Sequence, residues 1–113
     1  MGIIEEFKKR REEGNLKISE EGFLPFNRFM ALDGKAYEDG AVPAKYKELM
    51  GLSGSIVLRC NDCICYHIIK AVEAGCTRRE IIETMNVALV IGGSVVIPHL
   101  RYAMNALDEI SGK

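Results

Sequence analysis

The chain has 113 residues, 48% apolar and 27% charged, and its 15 Lys and Arg against 16 Asp and Glu leave a formal charge of −1. This composition predicts a single globular domain over residues 1–113, with a core that is adequate without being large. The near balance of charge lacks the electrostatic footprint that nucleic acid or an anionic membrane surface requires, so neither is expected as a partner.

Helical periodicity dominates, and no segment shows the strict alternation of a half-buried strand. The start, MGIIEEF, lacks a basic region followed by an apolar run, so no secretory signal is expected. Glu6 also stands where an N-myristoylation site wants Ser or Thr. Ile3, Ile4 and Phe7 open a short amphipathic helix whose charged run Lys8 to Glu13 reads as a solvated face, with Gly14-Asn15 as its stop. Pro25 fits the first position of a second helix that carries Phe26, Phe29 and Met30 up to the turn signal Asp33-Gly34, and residues 34–41 read as a loop. Pro43 opens a third helix with the apolar stripe Tyr46, Leu49, Met50, Ser53 and Val57, which leaves Lys45, Lys47 and Glu48 on flanking faces. A fourth runs from about Cys60 to Ala74 and is closed by Gly75. Thr77 and Glu80 form a capping box, so a fifth helix starts at Arg78 with Ile81, Ile82, Met85, Ala88 and Leu89 on its buried face. Gly92-Gly93 interrupts it, and a last helix carries Leu100, Ala103, Met104 and Leu107 with Pro98 in or near its first turn. The fold class is therefore all-α, a bundle of about six helices.

The run Val87 to Ile97 is apolar on every face except where Gly92, Gly93 and Ser94 break it. It is far short of the roughly 20 residues that span a bilayer, so no membrane segment is expected. A helix of that kind is buried all round, which a bundle this small hardly provides, and the expectation is a homo-oligomer formed through this hairpin.

Four cysteines are too few for a secreted disulfide scaffold, and Cys60, Cys63 and Cys65 crowd into six positions. A reducing compartment, the cytoplasm, follows as the expected location. At about 100° per residue, Cys60, Cys63 and His67 project near 0°, 300° and 340°, whereas Cys65 projects near 140°. On a helical turn the Cα atoms of Cys60 and Cys63 would lie about 5 to 6 Å apart, within bridging range. The helix N-terminus favours thiolate there, and His67, one turn on, can accept or return a proton. Glu48 on the preceding helix is the candidate to orient that imidazole.

The pattern Glu48-x11-Cys60-x2-Cys63-x3-His67, followed by Ala74-Gly75-Cys76-Thr77 and Gly92-Gly93, resembles the alkylhydroperoxidase D-like branch of the carboxymuconolactone decarboxylase family over about residues 42–107. The resemblance implies an all-helical subunit that assembles into trimers or hexamers. It also implies a redox dithiol, with no other cofactor and no metal, that reduces hydroperoxides or exchanges disulfides in antioxidant defence, a peroxiredoxin activity. A thiol reductant, a lipoyl or thioredoxin-like protein, would restore it. Carried over by position, Cys63 would be the attacking thiolate, Cys60 the resolving thiol, and Glu48 and His67 the proton relay. The chain departs from the pattern at Asp62, where members often carry a second His, and an anion there disfavours the Cys63 thiolate unless it is turned outward.

Other readings stand beside this one. The other branch of the family implies a lactone decarboxylase, for which His67, His99, Glu48 and Arg101 could serve but which gives no reason for the cysteine pair. A non-catalytic oligomeric module could use the dithiol to sense metal or redox state, with Cys60, Cys63, His67 and Glu48 as zinc ligands. Cys65 and Cys76 read as small core residues, His99 as structural or interfacial, and Tyr66 as either a pocket wall or core.

Overall fold

The computed structural model describes residues 2–112, so Met1 and Lys113, the ends of the expected 1–113 domain, lie outside the described residues. Six α-helices follow in order among those residues, with no strand: α1 (Ile3–Glu20), α2 (Leu24–Ala36), α3 (Ala44–Val57), α4 (Asn61–Glu73), α5 (Arg78–Gly92) and, after a 3-10 turn at Gly93–Val96, α6 (Ile97–Ser111). The all-α expectation is met.

Two helices overrun their expected stops. Helix α1 passes through Gly14-Asn15 and ends only before Gly22, which takes the positive φ of 68° that a helix-ending glycine supplies. Gly14 stays inside the helix at a cost of about 1 kcal/mol relative to Ala. Helix α2 likewise runs through Asp33-Gly34 to Ala36, and Pro25 is its second residue, still in the first turn where a missing N–H costs nothing. Elsewhere the local signals hold. The Thr77 hydroxyl accepts from the Glu80 N–H at 3.1 Å while the Glu80 carboxylate accepts from the Thr77 N–H at 2.8 Å, so α5 starts at Arg78. Gly75, at φ 88°, closes α4.

Helix α3 packs against α4 and α5, α4 against α6, and α1 lies across α6 and α4. Leu52 and Ile56 of α3, Ile64 and Ile68 of α4, Ile81 and Met85 of α5 and Leu107 of α6 interlock with almost no exposure. Truncating any of these aliphatic side chains to Ala costs about 2–5 kcal/mol. The face that α3 presents corrects the expected stripe. Tyr46 and Met50 are exposed, while Glu48, Leu52, Ser55 and Ile56 point inward. Helix α2 buries none of its residues, and Phe29 and Leu32 are each 66% exposed.

The expected all-round apolar helix is half covered: Ala88 and Val96 are buried, whereas Val87, Ile91 and Val95 are exposed and Val90 is 78% exposed. The stretch Arg78–Ser111 is apolar and long enough in sum to cross a membrane. It is, however, broken by the 3-10 turn and the positive φ of Gly93 into two helices of 15 residues. Each is about 22 Å long against the roughly 30 Å of a hydrocarbon core.

Candidate active site

The corner between α3 and α4 creates the site. Leu58 closes α3, Arg59 adopts a left-handed φ of 60°, and Cys60 leaves it in extended backbone (φ −104°, ψ 98°), its N–H donating to the Ser55 carbonyl at 3.0 Å. Cys60 is thus the N-cap of α4 and not its first helical residue, and its Sγ accepts the N–H of Cys63 at 3.3 Å. Cys60 and Cys63 form a disulfide with Cα atoms 5.3 Å apart, in the range the helical spacing predicted. Cys65 and Cys76 are free and buried. The Cys65 thiol donates to the Tyr102 hydroxyl at 3.5 Å, and burial pushes both free thiols above their ordinary range.

One turn beyond Cys63 in α4, His67 turns inward. Its Nδ1 lies 2.9 Å from Oε1 of Glu48, and the two residues are only 8% and 7% exposed. Glu48, expected on a flanking face of α3, is buried because the imidazole gives its charge a partner. The site is thus two pairs, the Glu48–His67 contact and the Cys60–Cys63 bridge, joined by clefts that His67 and Cys63 share. Cys63 is exposed, and with His67 it lines two clefts. A cleft of about 400 Å³ is bounded by Arg10, Arg11, Met30, Asp33 and Tyr66, and one of about 550 Å³ by Tyr37, Lys47, Met50, Gly54 and Leu58. A reactant entering either cleft meets both Cys63 and His67.

Three participants escaped the sequence reading. Gly51 sits one turn after Glu48, and a Cβ there would overlap the His67 ring, so only glycine lets the imidazole lie against the α3 backbone. A glycine inside an apolar helix, three residues after a candidate acid, was a usable signal for such close approach. Tyr37, just past α2, places its hydroxyl 3.5 Å from Nε2 of His67 and its ring 5.2 Å from the imidazole. Arg10, placed on a solvated face by its sequence context, reaches from α1 to ion-pair with Asp62. That pair is more than half exposed and lines the same cleft as Cys63, so the anion beside Cys63 is paired there with a guanidinium. Spacing in the chain signals neither Tyr37 nor Arg10, because both arrive through space from other elements.

The remaining histidine stands apart. His99 Nδ1 lies 2.9 Å from Oδ1 of Asn61, tying α6 to the first residue of α4, and neither His99 nor Arg101 lines the clefts that hold Cys63 and His67. Among the described residues no three His, Cys, Asp or Glu side chains gather as a metal site requires.

The sequence profile of the carboxymuconolactone decarboxylase family matches residues 25–109. The chain belongs to the carboxymuconolactone decarboxylase family. The matched span starts within α2, earlier than the 42–107 expected from the motif. A crystal structure of a protein from Thermotoga maritima superposes with a TM-score of 0.91 at 47% identity, covering 95% of this chain and 94% of that one. A second structure of that same protein, a carboxymuconolactone decarboxylase family protein with a suggested involvement in the antioxidative response, gives 0.89 at 48% identity over 95% and 91% of the two chains. A family member from Legionella pneumophila, solved in its apo form, gives 0.89 at 28% identity over 96% of each chain. Among curated relatives, an uncharacterised protein of the cox locus of Paracoccus denitrificans is 32% identical over 74% of this chain and 76% of its own length.

Proposed function

We propose that this family member is a dithiol oxidoreductase of the alkylhydroperoxidase D-like kind, reducing hydroperoxides or exchanging disulfides through Cys60 and Cys63. The observation that carries the reading is the buried Glu48–His67 pair one turn behind an exposed bridging cysteine, with His67 and Cys63 opening onto the same clefts. The reduced Cys63 gives its proton to His67, whose imidazolium the Glu48 carboxylate stabilises. The Cys63 thiolate attacks a peroxide oxygen, the O–O bond breaks, and the departing alkoxide takes the proton from His67. Cys63 is left as a sulfenic acid. The Cys60 thiol then attacks that sulfur, the S–S bond forms and water leaves. The dithiol has lost the two electrons that the peroxide gained, and a thiol reductant, a lipoyl or thioredoxin-like protein, returns them. The suggested antioxidative role of the Thermotoga maritima relative agrees with this chemistry. Free buried Cys65 and Cys76 fit a reducing, cytoplasmic setting.

Thiol titration before and after hydroperoxide, with a metal assay on the same sample and turnover followed in a dithiol reductant, tests the proposal. The expected result is loss of two thiols mapping to Cys60 and Cys63, stoichiometric metal absent, and sustained consumption of peroxide or disulfide. Oxidation without turnover would make the chain a redox sensor, and bound zinc lost on oxidation a metal-sensing module. The lactone decarboxylase reading gains nothing from the site, since neither His99 nor Arg101 lines the clefts that hold His67.

A further inference from the structure

We infer that Tyr37 is a positioning residue for the proton relay, its hydroxyl serving Nε2 of His67 while Glu48 serves Nδ1. The inference rests on the dithiol reading for its place in the reaction, and on geometry for the contact itself. An ionised carboxylate only accepts, so the 2.9 Å bond from Glu48 puts the ring proton of neutral His67 on Nδ1 and leaves a lone pair on Nε2. The group facing that lone pair is the Tyr37 hydroxyl at 3.5 Å, on a half-buried ring stacked obliquely at 5.2 Å over the imidazole. Burial, reinforced by the carboxylates of Asp33 and Glu48, pushes the phenol above its ordinary value of 10.0, so it keeps its proton through the neutral range.

The disulfide gives this contact a purpose. With Cys60 and Cys63 bridged, neither sulfur carries a proton to share, and the Tyr37 hydroxyl donates to Nε2 in their place. After reduction, a thiol proton moves to Nε2. The phenol then accepts the new N–H by turning its hydroxyl, since one phenolic oxygen both donates and accepts. No ring has to move between the two states, and Tyr37 keeps its own proton throughout. The residue comes from the segment after α2, so it ties that otherwise unburied helix to the chemistry.

The test uses Tyr37→Phe, which keeps the ring and removes the hydroxyl, beside Tyr37→Ala. In the oxidised protein, ¹⁵N NMR of labelled histidine should show the Nε2 resonance of His67 moving toward that of an unbonded nitrogen in Tyr37→Phe, with Nδ1 little changed. In turnover, kcat should fall about 3- to 10-fold, the factor carried by one hydrogen bond, at unchanged KM. An unchanged nitrogen spectrum and unchanged kcat in Tyr37→Phe, with loss confined to Tyr37→Ala, would reduce Tyr37 to a packing ring and overturn the inference. The NMR shift is read on the resting protein, so it decides the contact even where wild-type turnover is absent and the dithiol reading itself fails.

Discussion

Within the site, Glu48 is held almost out of solvent beside a single basic partner, so its carboxylate acts chiefly on the protonation of His67. Glu48→Gln preserves an oxygen that can accept from Nδ1 and removes the charge. Thiol oxidation at neutral pH should slow on the order of 10-fold, and His67→Ala should lose at least as much. Both losses should shrink as pH rises, because the thiolate then forms without a base and the α4 N-terminus still favours it. Cys63→Ser should abolish turnover at every pH. Rate-against-pH profiles of the three variants decide this, and equal rates for wild type, Glu48→Gln and His67→Ala at neutral pH would remove the relay. Gly51 allows a paired measurement on one helix. Gly51→Ala drives a methyl into the His67 ring and should cost about 1–3 kcal/mol together with activity. Gly54→Ala, whose Cβ meets nothing within 4 Å, should raise stability by about 0.5–1 kcal/mol in urea titration.

Among the helices, the termini carry the clearest expectations. Thr77→Ala removes the hydroxyl that accepts from Glu80 and should destabilise by about 1 kcal/mol, read from the urea midpoint at constant slope. The N-cap of α4 is a sulfur, and on reduction and deprotonation it changes from a disulfide atom to a thiolate, a charged and therefore stronger acceptor for the Cys63 N–H. Hydrogen exchange of the Cys63 amide, corrected for its intrinsic pH dependence, should therefore gain protection in the reduced protein as pH rises through the Cys60 thiol range. The same termini explain what the sequence made legible. Thr77-Glu80, Gly75 and Pro43 act on neighbouring backbone, and local rules placed α5, the end of α4 and the start of α3. Cys60, Cys63 and His67 lie within about two turns, so local helical geometry brought them to one side, and the offset to Glu48 followed from the antiparallel turn at Arg59. The α3 stripe failed because size was taken for burial: Tyr46 and Met50 are large and exposed, while Glu48 is charged and buried because His67, nineteen residues away, answers it. Gly14 failed because a glycine ends a helix only where φ turns positive, and that occurs at Gly22.

Across the molecule, apolar side chains among the described residues stand uncovered along α2 and around Val87, Val90, Ile91 and Val95. We propose that a second copy of the chain covers at least the latter, in a trimer or hexamer. Light scattering at micromolar concentration should find no monomer. Alkaline pH should loosen the fold. Cys65 and Cys76, ordinarily near 9.0, and Tyr37 and Tyr102, ordinarily near 10.0, are all raised by burial. The unfolded chain thus releases these protons first, and their stabilising contribution is complete below about pH 9 and lost as pH climbs through the folded values. Urea midpoints should accordingly decline above about pH 9. Helix α2 buries nothing within its own copy, yet the residue that follows it, Tyr37, reaches Nε2 of His67. An isolated helix of 13 residues is marginal in water. Where the proposed assembly also covers α2, specific activity should depend on dilution: once the copies part, α2 frays and Tyr37 drifts from the imidazole. Turnover per subunit should then drop at enzyme concentrations too low to hold the assembly, with Cys60 and Cys63 chemically intact.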